Sequence, residues 1–506
     1  MLDSIALDNT APPEQSLSGF VEFAAAEDEI KSAVLDFCDR LAACEVVDHA
    51  EQPDHYQGSW RFSLIDGAGV LLQLARPMPR EKYETNAYRM VLHASQPSAT
   101  VTHFFRAAEA LPFTDTEMAR IRSELPITRK LSERYTDAPL AGLGVILTIH
   151  HMTDFLVLAE TLLALGADPY HMTVIDKEYS YAFSRRVDSY LRHRCGIRVW
   201  KYSELGDGIA DHISRLRPSG KRSVIMDDGG YVIPHIAAHT PELLNEFVGL
   251  VEQTASGIWR IQGIPLPMPL FSVAESEMKG AIESYGIADA AVRNLLRLLP
   301  NEKFEGQPAL VLGYGRIGSA MARILRGRRM RVAVYDREIA RLVAAHEEGF
   351  FTRETLASLL RVHNPMVVFG CAGRGSMTVD QVELLTGASY LVSTTSRDYE
   401  FPVAEIRAKA IASQTGVRGT AFTMPSGAQV TVVANGFPIN FHHAESLPNR
   451  YVDLVLAGLI VGAVAIARGD PRLPDGGSVS ACNEMLAESG IMHDYYGLYG
   501  PKSCAD

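Results

Sequence analysis

The sequence predicts an α/β protein: two doubly wound, largely parallel sheets with an additional N-terminal α+β module ahead of them. Three observations lead there. Strand and helix patterns alternate from about residue 140 to residue 226, a second such run starts near Gln307, and residues 60–94 carry hairpin patterning that neither run shows. A chain of 506 residues exceeds one ordinary domain. The reading divides it into a module at 1–120, a first part of an α/β domain at 121–295, a second α/β domain at 296–440, and a return to the first with a tail at 441–506.

Taken in order, the first fifteen or so residues are polar. Residues 27–44 have helical spacing, with Ile30, Val34, Phe37 and Leu41 on one face. Residues 60–65 and 70–74 alternate as strands around Asp66-Gly67-Ala68-Gly69, a hairpin signal, and 89–94 read as a third strand. Strands are then expected at 142–149, 171–175, 197–201 and 223–226, with helices at 153–165, 181–194 and 209–216 between them. That alternation implies parallel strands covered by helices on both faces. Thr240-Pro241-Glu242 reads as an N-cap followed by proline at the first helical position. The apolar run at 454–467 is too short to cross a bilayer and reads as a buried helix.

Composition excludes several classes. The net charge is −12 and no basic block interleaves with aromatics, so no nucleic-acid partner is expected. The six cysteines form no CxxC pair, which leaves neither a zinc knuckle nor a redox dithiol. His235 and His239 are spaced like metal ligands on a helix, but no third ligand accompanies them, so no metal is expected. The first residues lack a basic start and apolar run; no secretory leader and no membrane association are expected, and the cytoplasm is the expected location.

The chemistry begins at residues 309–312, a strand pattern leading into Gly313-Tyr314-Gly315-Arg316-Ile317-Gly318 and then a helix. Gly313 permits a tight turn, Gly315 lets a diphosphate approach the N–H groups at the helix start, and Gly318 lets helix and strand pack closely. The next strand ends at Asp336, about 20 residues further on, where an acid can bond both hydroxyls of a ribose. Strand, glycine turn, helix and acid together specify a Rossmann unit, and the cofactor expected is NAD. Asp336 would repel a 2′-phosphate, although Arg337 beside it weighs the other way. A later strand ends in Gly370-Cys371-Ala372-Gly373. These small residues suit close approach of the nicotinamide half at Ala372 and Gly373, or equally a plain strand-to-helix turn.

Two polar clusters mark carboxyl ends of strands in the first α/β run, where open parallel sheets place their ligands: Thr148-Ile149-His150-His151-Met152-Thr153 and Met226-Asp227-Asp228-Gly229-Gly230. With LAGLGVILTIHHMTDFLVLAETLLALGA at 140–167, EQTASG at 252–257, the glycine motif at 310–336 and VVANGFPINF at 432–441, they make the chain resemble S-adenosylhomocysteine hydrolase, in colinear order over about 127–469. The resemblance implies a split substrate domain, a Rossmann NAD-binding domain and a tail reaching a neighbouring subunit in a homo-oligomer, a dimer or tetramer. It implies chemistry in which NAD oxidises a ribose hydroxyl, the ketone acidifies the adjacent C–H, a thiol is eliminated, water adds and the ketone is reduced again. By the same resemblance His151 and Asp228 line the active site, and Thr254 and Asn440 contact the cofactor.

Other positions depart from that pattern. Gln253 stands where the family has a ribose-binding glutamate, Glu275 where it has a lysine, Lys279 where it has an aspartate, and Gly280 where it has an asparagine. Arg397 falls near an expected histidine, His442-His443 replace part of a shortened loop, and the family's terminal motif is not recognisable. Glu275 and Lys279 admit two readings: a charge-swapped acid–base pair one helical turn apart, or, with Glu283, an ordinary i,i+4 surface ladder. Three functions follow: an NAD-dependent enzyme acting on an altered nucleoside-like or polyol-like small molecule, a non-catalytic NAD-binding homologue with a regulatory or scaffolding role, or a true hydrolase with a rearranged site.

Overall fold

The computed structural model describes residues 18–23, 32, 44–50, 56–75, 88–179, 183–395, 399–416, 418–441 and 447–501. Apart from Ser32, which is helical, and Cys44, which opens a strand, the helix expected over 27–44 lies outside these residues, as do Arg397 and His442-His443. The chain divides into two compact units. The first comprises Met1–Glu124, His151–Leu156 and Ala182–Gly196; the second comprises Leu125–His150, Val157–Tyr181 and Ile197–Asp506.

In the first unit, β1 (Ser18–Phe23), β2 (Cys44–Ala50), β3 (Tyr56–Leu64), β4 (Gly69–Ala75) and β5 (Tyr88–Ala94) form an antiparallel sheet in the order β1-β5-β4-β3-β2. The β3–β4 hairpin closes where expected: Gly67 takes φ +80°, which glycine adopts freely, and Asp66 accepts from the Ala68 N–H at 3.1 Å. Helices Ala99–Glu109 and Asp115–Ser123 follow, the second opened by a reciprocal capping box between Thr114 and Glu117. Arg186, on the helix Ser184–Ser189, is fully buried in this unit. Its guanidinium forks onto Glu117 at 2.7 and 3.0 Å and donates to the Leu111 carbonyl at 2.9 Å. The expected helix at 181–194 is thus short, continuing as a π-turn over Tyr190–Arg194.

The second unit carries both α/β sheets. One contains β6 (Gly144–Ile149), β7 (Met172–Asp176), β8 (Arg198–Lys201), β9 (Ser223–Asp227), β10 (Phe247–Glu252) and β11 (Leu270–Ser272), all parallel, in the order β11-β10-β9-β6-β7-β8. Its strand order reverses between β6 and β9, the switch point at which such sheets open a crevice. The other contains β12 (Pro308–Leu312), β13 (Arg331–Tyr335), β14 (Val367–Gly370), β15 (Ala388–Ser393), β16 (Ala412–Gly416), β17 (Gly419–Thr423) and β18 (Gln429–Val433). Its order is β13-β12-β14-β15-β18-β17-β16, parallel from β13 to β18 and antiparallel beyond, and its switch point falls between β12 and β14.

The apolar run at 454–467 lies in the helix Asn449–Ala467, of which 72% of the most apolar stretch is buried. It is a core helix: Gly458 and Gly462 have no room for a Cβ against Met278 and Phe271. At its start Asp453, fully buried, accepts from the N–H groups of Ile127 and Thr128 at 2.9 and 2.7 Å and so caps the helix Pro126–Arg134. One expectation fails. The segment after Thr240 is a 3₁₀ turn, Pro241–Glu246, and Thr240 makes no side-chain cap. The α-helix, Val232–His239, comes before it. Asp227 Oδ2 caps that helix through the N–H groups of Tyr231 and Val232 at 2.7 and 2.8 Å, and Pro234 sits in its first turn, where the missing N–H costs nothing.

Candidate functional site

Four neighbouring strands of the first α/β sheet, β10-β9-β6-β7, end in ionisable or amide residues at their carboxyl edge. β6 is followed by His150-His151, β7 by Lys177, β9 by Asp228, and β10 by Gln253. Two of these ends are fixed by the sheet: the Asp228 N–H donates to the Thr148 carbonyl at 3.0 Å and the Gln253 N–H to the Asp227 carbonyl at 2.9 Å. Side chains one residue past a strand are thereby held by backbone rather than by a loop.

At the switch point three of them form a triangle. The Lys177 ammonium donates to Asp228 Oδ1 at 3.1 Å and lies 3.0 Å from His150 Nε2, which in turn lies 3.2 Å from Asp228 Oδ2. The His150 ring stacks on Phe441 with centroids 4.4 Å apart and meets Tyr179 edge-on at 4.8 Å. Lys177 is only 1% exposed, with the Tyr179 and Tyr231 rings 5.3 and 5.8 Å from its nitrogen. Burial alone would lower its pKa, but Asp228 and the two phenols outweigh that and hold it above the usual lysine value. Burial would raise Asp228, but the Lys177 ammonium beside it, with Lys279 adding to it, holds it below the usual carboxylate value. The pair is ionised at neutral pH.

Behind this triangle lie two more buried carboxyls, on paired residues of β9 and β10: Asp227 and Glu252. Glu252 Oε1 accepts from the N–H groups of Gly229 and Thr254 at 3.1 and 2.8 Å and from the Thr254 hydroxyl at 2.8 Å. Burial, with repulsion from Asp228, pushes Asp227 up to about 6; burial, with repulsion from Asp227, pushes Glu252 well above the ordinary value. The two titrate as a couple.

The remaining expected residues distribute as follows. Gln253 joins the site: its carbonyl accepts from Lys279 Nζ at 2.5 Å, and its buried amide oxygen meets no partner among the described residues. Lys279 is buried and pairs with Glu283 at 3.0 Å. Glu275 is exposed and precedes the helix Glu277–Leu298, whose N-cap is Ser276. Neither reading of Glu275 with Lys279 therefore survives: Glu275 is outside the helix, and the Lys279–Glu283 pair is buried rather than part of a surface ladder. His151 belongs to the first unit, where it is fully buried with its ring stacked 6.1 Å from that of Phe155. Thr254 engages its hydroxyl within the protein, donating to Glu252 and accepting from the Gly257 N–H at 3.0 Å as the cap of helix Ala255–Ile261. His235 and His239 stack at 4.4 Å, and no metal-holding cluster occurs among the described residues.

The glycine turn fits a dinucleotide. Gly313 takes φ +94°, and a Cβ there would lie 2.9 Å from the Ala372 backbone; one on Gly318 would lie 1.8 Å from the Gly313 carbonyl oxygen. Around Gly315, by contrast, only Arg341 Nη1 comes within 4 Å, at 3.6 Å, so space is open above the first N–H groups of helix Arg316–Gly327. Ile317, partly buried, packs against the hydrophobic core of this sheet. Asp336 accepts from the N–H groups of Tyr314 at 2.6 Å and Glu338 at 2.8 Å, so its carboxylate is fixed at the end of β13. Arg337 turns away to the Gly375 carbonyl at 2.7 Å. Asn440 is buried with its side-chain oxygen unpartnered among the described residues, while Asn294 holds its carbonyl at 3.1 Å. An amide-bearing ring is the kind of group that such an orphaned acceptor suits. Gly280, on the helix Glu277–Leu298, lies against Arg316: a Cβ there would meet the guanidinium at 2.3 Å.

Sequence reasoning missed Lys177, the Asp227–Glu252 couple and Glu400. Glu400 is fully buried and accepts from the N–H groups of Ala372 and Gly373 at 3.3 and 2.7 Å and from the hydroxyls of Ser376 and Thr395. It therefore shapes the turn after β14. Burial raises its pKa against those four donors. The usable signal was positional: Lys177 and Glu252 sit at strand ends beside the two clusters that were noticed.

Comparison with known proteins agrees with this geometry. Residues 289–373 match the family described as D-isomer specific 2-hydroxyacid dehydrogenase, NAD binding domain. The chain is 24% identical to the S-inosyl-L-homocysteine hydrolase of Methanopyrus kandleri over 70% of this chain and 84% of that protein. It is 22% identical to the adenosylhomocysteinase of Thermosynechococcus vestitus over 76% of this chain and 90% of that protein. The adenosylhomocysteinase of Gloeobacter violaceus matches at 24% over 70% of this chain and 82% of that protein. The cofactor is NAD, and the chain is similar to adenosylhomocysteinases, as a divergent relative, over most of its length.

Proposed function

We propose that this chain is an NAD-dependent enzyme that oxidises a hydroxyl of a nucleoside-like or polyol-like small molecule in an adenosylhomocysteinase-like cycle, and that its substrate differs from S-adenosylhomocysteine. The observation that carries this reading is the polar switch-point edge in the same compact unit as an intact dinucleotide cradle. The helix Glu277–Leu298 contributes to both, with Lys279 at the edge and Gly280 against Arg316. When bound, NAD supplies a hydride acceptor. The backbone around Gly315 would receive its diphosphate, Asp336 its ribose, and Asn440 its amide.

The residues at the edge handle the proton. The proton leaving the hydroxyl is taken up at His150 Nε2, and the imidazolium so formed is steadied by Asp228 Oδ2 at 3.2 Å. Gln253 and Lys279 orient the substrate's polar groups. The altered residues at 253 and 279 argue for a changed substrate, since a site built for one hydroxyl pattern discriminates strongly against another. A cytoplasmic homo-oligomer is part of the same proposal.

The test is to load the purified protein with NAD and follow near-ultraviolet absorbance while adding adenosine, S-adenosylhomocysteine, S-inosylhomocysteine, then other nucleosides and polyols. A rise in NADH identifies the substrate class. Absence of NADH with every compound, despite proven NAD binding, refutes the enzymatic reading. It would leave a non-catalytic NAD-binding homologue, the reading favoured by the outward-facing Glu275.

A further inference from the structure

A buried lysine needs a reason. Lys177 is among the largest fully buried side chains of the described residues, alongside phenylalanines, a leucine and Arg186, and desolvating an ammonium costs several kcal/mol unless it is fully compensated. Asp228 compensates the charge. Yet His150 lies within hydrogen-bond reach of both partners, 3.0 Å from the ammonium and 3.2 Å from the carboxylate, through the same atom, Nε2. That nitrogen has two possible states. With a proton it donates to Asp228 and meets the ammonium as a second donor and, as imidazolium, a second cation. Without one it accepts from Lys177. Asp228 Oδ1 already takes one ammonium hydrogen, so the second state gives both Oδ1 and Nε2 a donor from Lys177 and keeps one positive and one negative charge, while the buried Oδ2 stands 3.2 Å from Nε2 as an acceptor without a hydrogen-bond donor among the described residues.

We infer that Lys177 is a positioning residue that holds His150 as a neutral imidazole protonated at Nδ1 and bare at Nε2. The consequence bears on the proton step of the proposed reaction, and the inference rests on that reading for its functional meaning. Without Lys177, Asp228 would draw a proton onto His150 and consume the base before substrate arrived. With Lys177 as the standing counter-ion, Nε2 stays able to accept a proton, and Asp228 Oδ2 is already in place to receive the resulting N–H. The groups facing His150 from the elements packed around it are consistent with this. Phe441 and Tyr179 present aromatic rings to it, and Lys177 and Asp228 are ionised neighbours within hydrogen-bond reach.

The experiment is long-range ¹⁵N–¹H correlation NMR on the NAD-loaded full chain with ¹⁵N-labelled histidine. Among the 16 histidines, His150 is assigned by the signal set that disappears in His150→Gln. At pH 7 the wild-type protein should show one protonated nitrogen, Nδ1, and one bare nitrogen, Nε2, at His150. Lys177→Arg, which can still donate, should keep that pattern. Lys177→Met should convert His150 to the doubly protonated form as imidazolium replaces ammonium opposite Asp228. An Nε2-protonated or doubly protonated His150 in the wild type overturns the inference, as does an unchanged pattern in Lys177→Met. Should Lys177→Met not fold, the wild-type and arginine spectra decide. No substrate enters the measurement, so a failure to reduce NAD in the previous assay would leave this result standing, and the reverse.

Discussion

Gly315→Ala separates ligand binding from folding within the cofactor cradle. Gly315 has φ −78° and ψ −162°, a backbone conformation alanine adopts without strain, and its Cβ would meet only Arg341 Nη1, at 3.6 Å, an ordinary contact. The free protein should therefore be unaffected, within about 0.5 kcal/mol of wild type. The new methyl would stand where the diphosphate must approach the helix N–H groups. A displacement of about one ångström there should weaken NAD binding at least tenfold to a hundredfold, about 1.4–2.7 kcal/mol. Gly318→Ala is the contrast: its Cβ would lie 1.8 Å from the Gly313 oxygen, and Gly313 is pinned by its N–H to the Tyr335 carbonyl at 2.8 Å, so helix and strand must separate and stability falls even without NAD. Isothermal titration with NAD and thermal unfolding with and without it measure both quantities. At a hundredfold excess over Kd, NAD should stabilise the wild type by about 2.7 kcal/mol and Gly315→Ala by much less. Wild-type NAD affinity in Gly315→Ala would refute the placement of the diphosphate.

Three further outcomes are expected. Asp336→Asn should lose NAD affinity and narrow any preference over NADP, because it removes the charge that repels a 2′-phosphate and one of the two acceptors holding the Tyr314 and Glu338 N–H groups; titration with both cofactors reads this. Asp453→Ala should cost about 2–4 kcal/mol in urea unfolding, since it strands two buried N–H donors at the start of helix Pro126–Arg134. The Asp227–Glu252 couple has raised pKa values, with Asp227 at about 6, so the folded state binds more protons than the unfolded one from about pH 4 upward. Its contribution is fully present below the ordinary carboxylate value and is lost as pH rises through the folded values. Glu252→Gln removes one of the two charges, so it should raise Tm relative to wild type at pH 8 and change it little at pH 5; a loss at both would contradict the coupling.

The cradle was legible because each residue there answers a steric demand that only one residue type meets, and the spacing of Gly313, Gly315, Gly318 and Asp336 is set by strand and helix geometry alone. The alternating strands were legible for a similar local reason. What failed to show in sequence depends on where segments meet. A lysine just past a strand, such as Lys177, is ordinarily solvated; its burial follows from β6, β7 and β9 being neighbours and from aromatic residues arriving from 179, 231 and 441. Glu400 gathers donors from 372, 373, 376 and 395, a convergence no local pattern displays. The Thr240 error has a local cause: Thr-Pro-Glu suits an α-helix start, but Asp227 caps the preceding turn through two N–H groups and so starts the helix earlier.

The same reasoning explains how the substrate edge can depart from the adenosylhomocysteinase pattern yet remain a charged, organised site. Ser276 caps the helix Glu277–Leu298, so residue 275 falls outside it and an acid there is solvated. Any cation at the edge must then come from another element. Two do: Lys177 from the end of β7 and Lys279 from the first turn of the helix, both buried and both tied to the β9–β10 ends, one through the Asp228 carboxylate and the other through the Gln253 carbonyl. Lys279 reaches a backbone acceptor and Glu283, which fixes its position, whereas Lys177 reaches two groups that can exchange a proton. On the proposed function, the functional weight moves from the 272–280 segment to the switch point between β6 and β9. There the positions of His150, Lys177 and Asp228 are set by strand ends, which shift less than loops when a ligand enters.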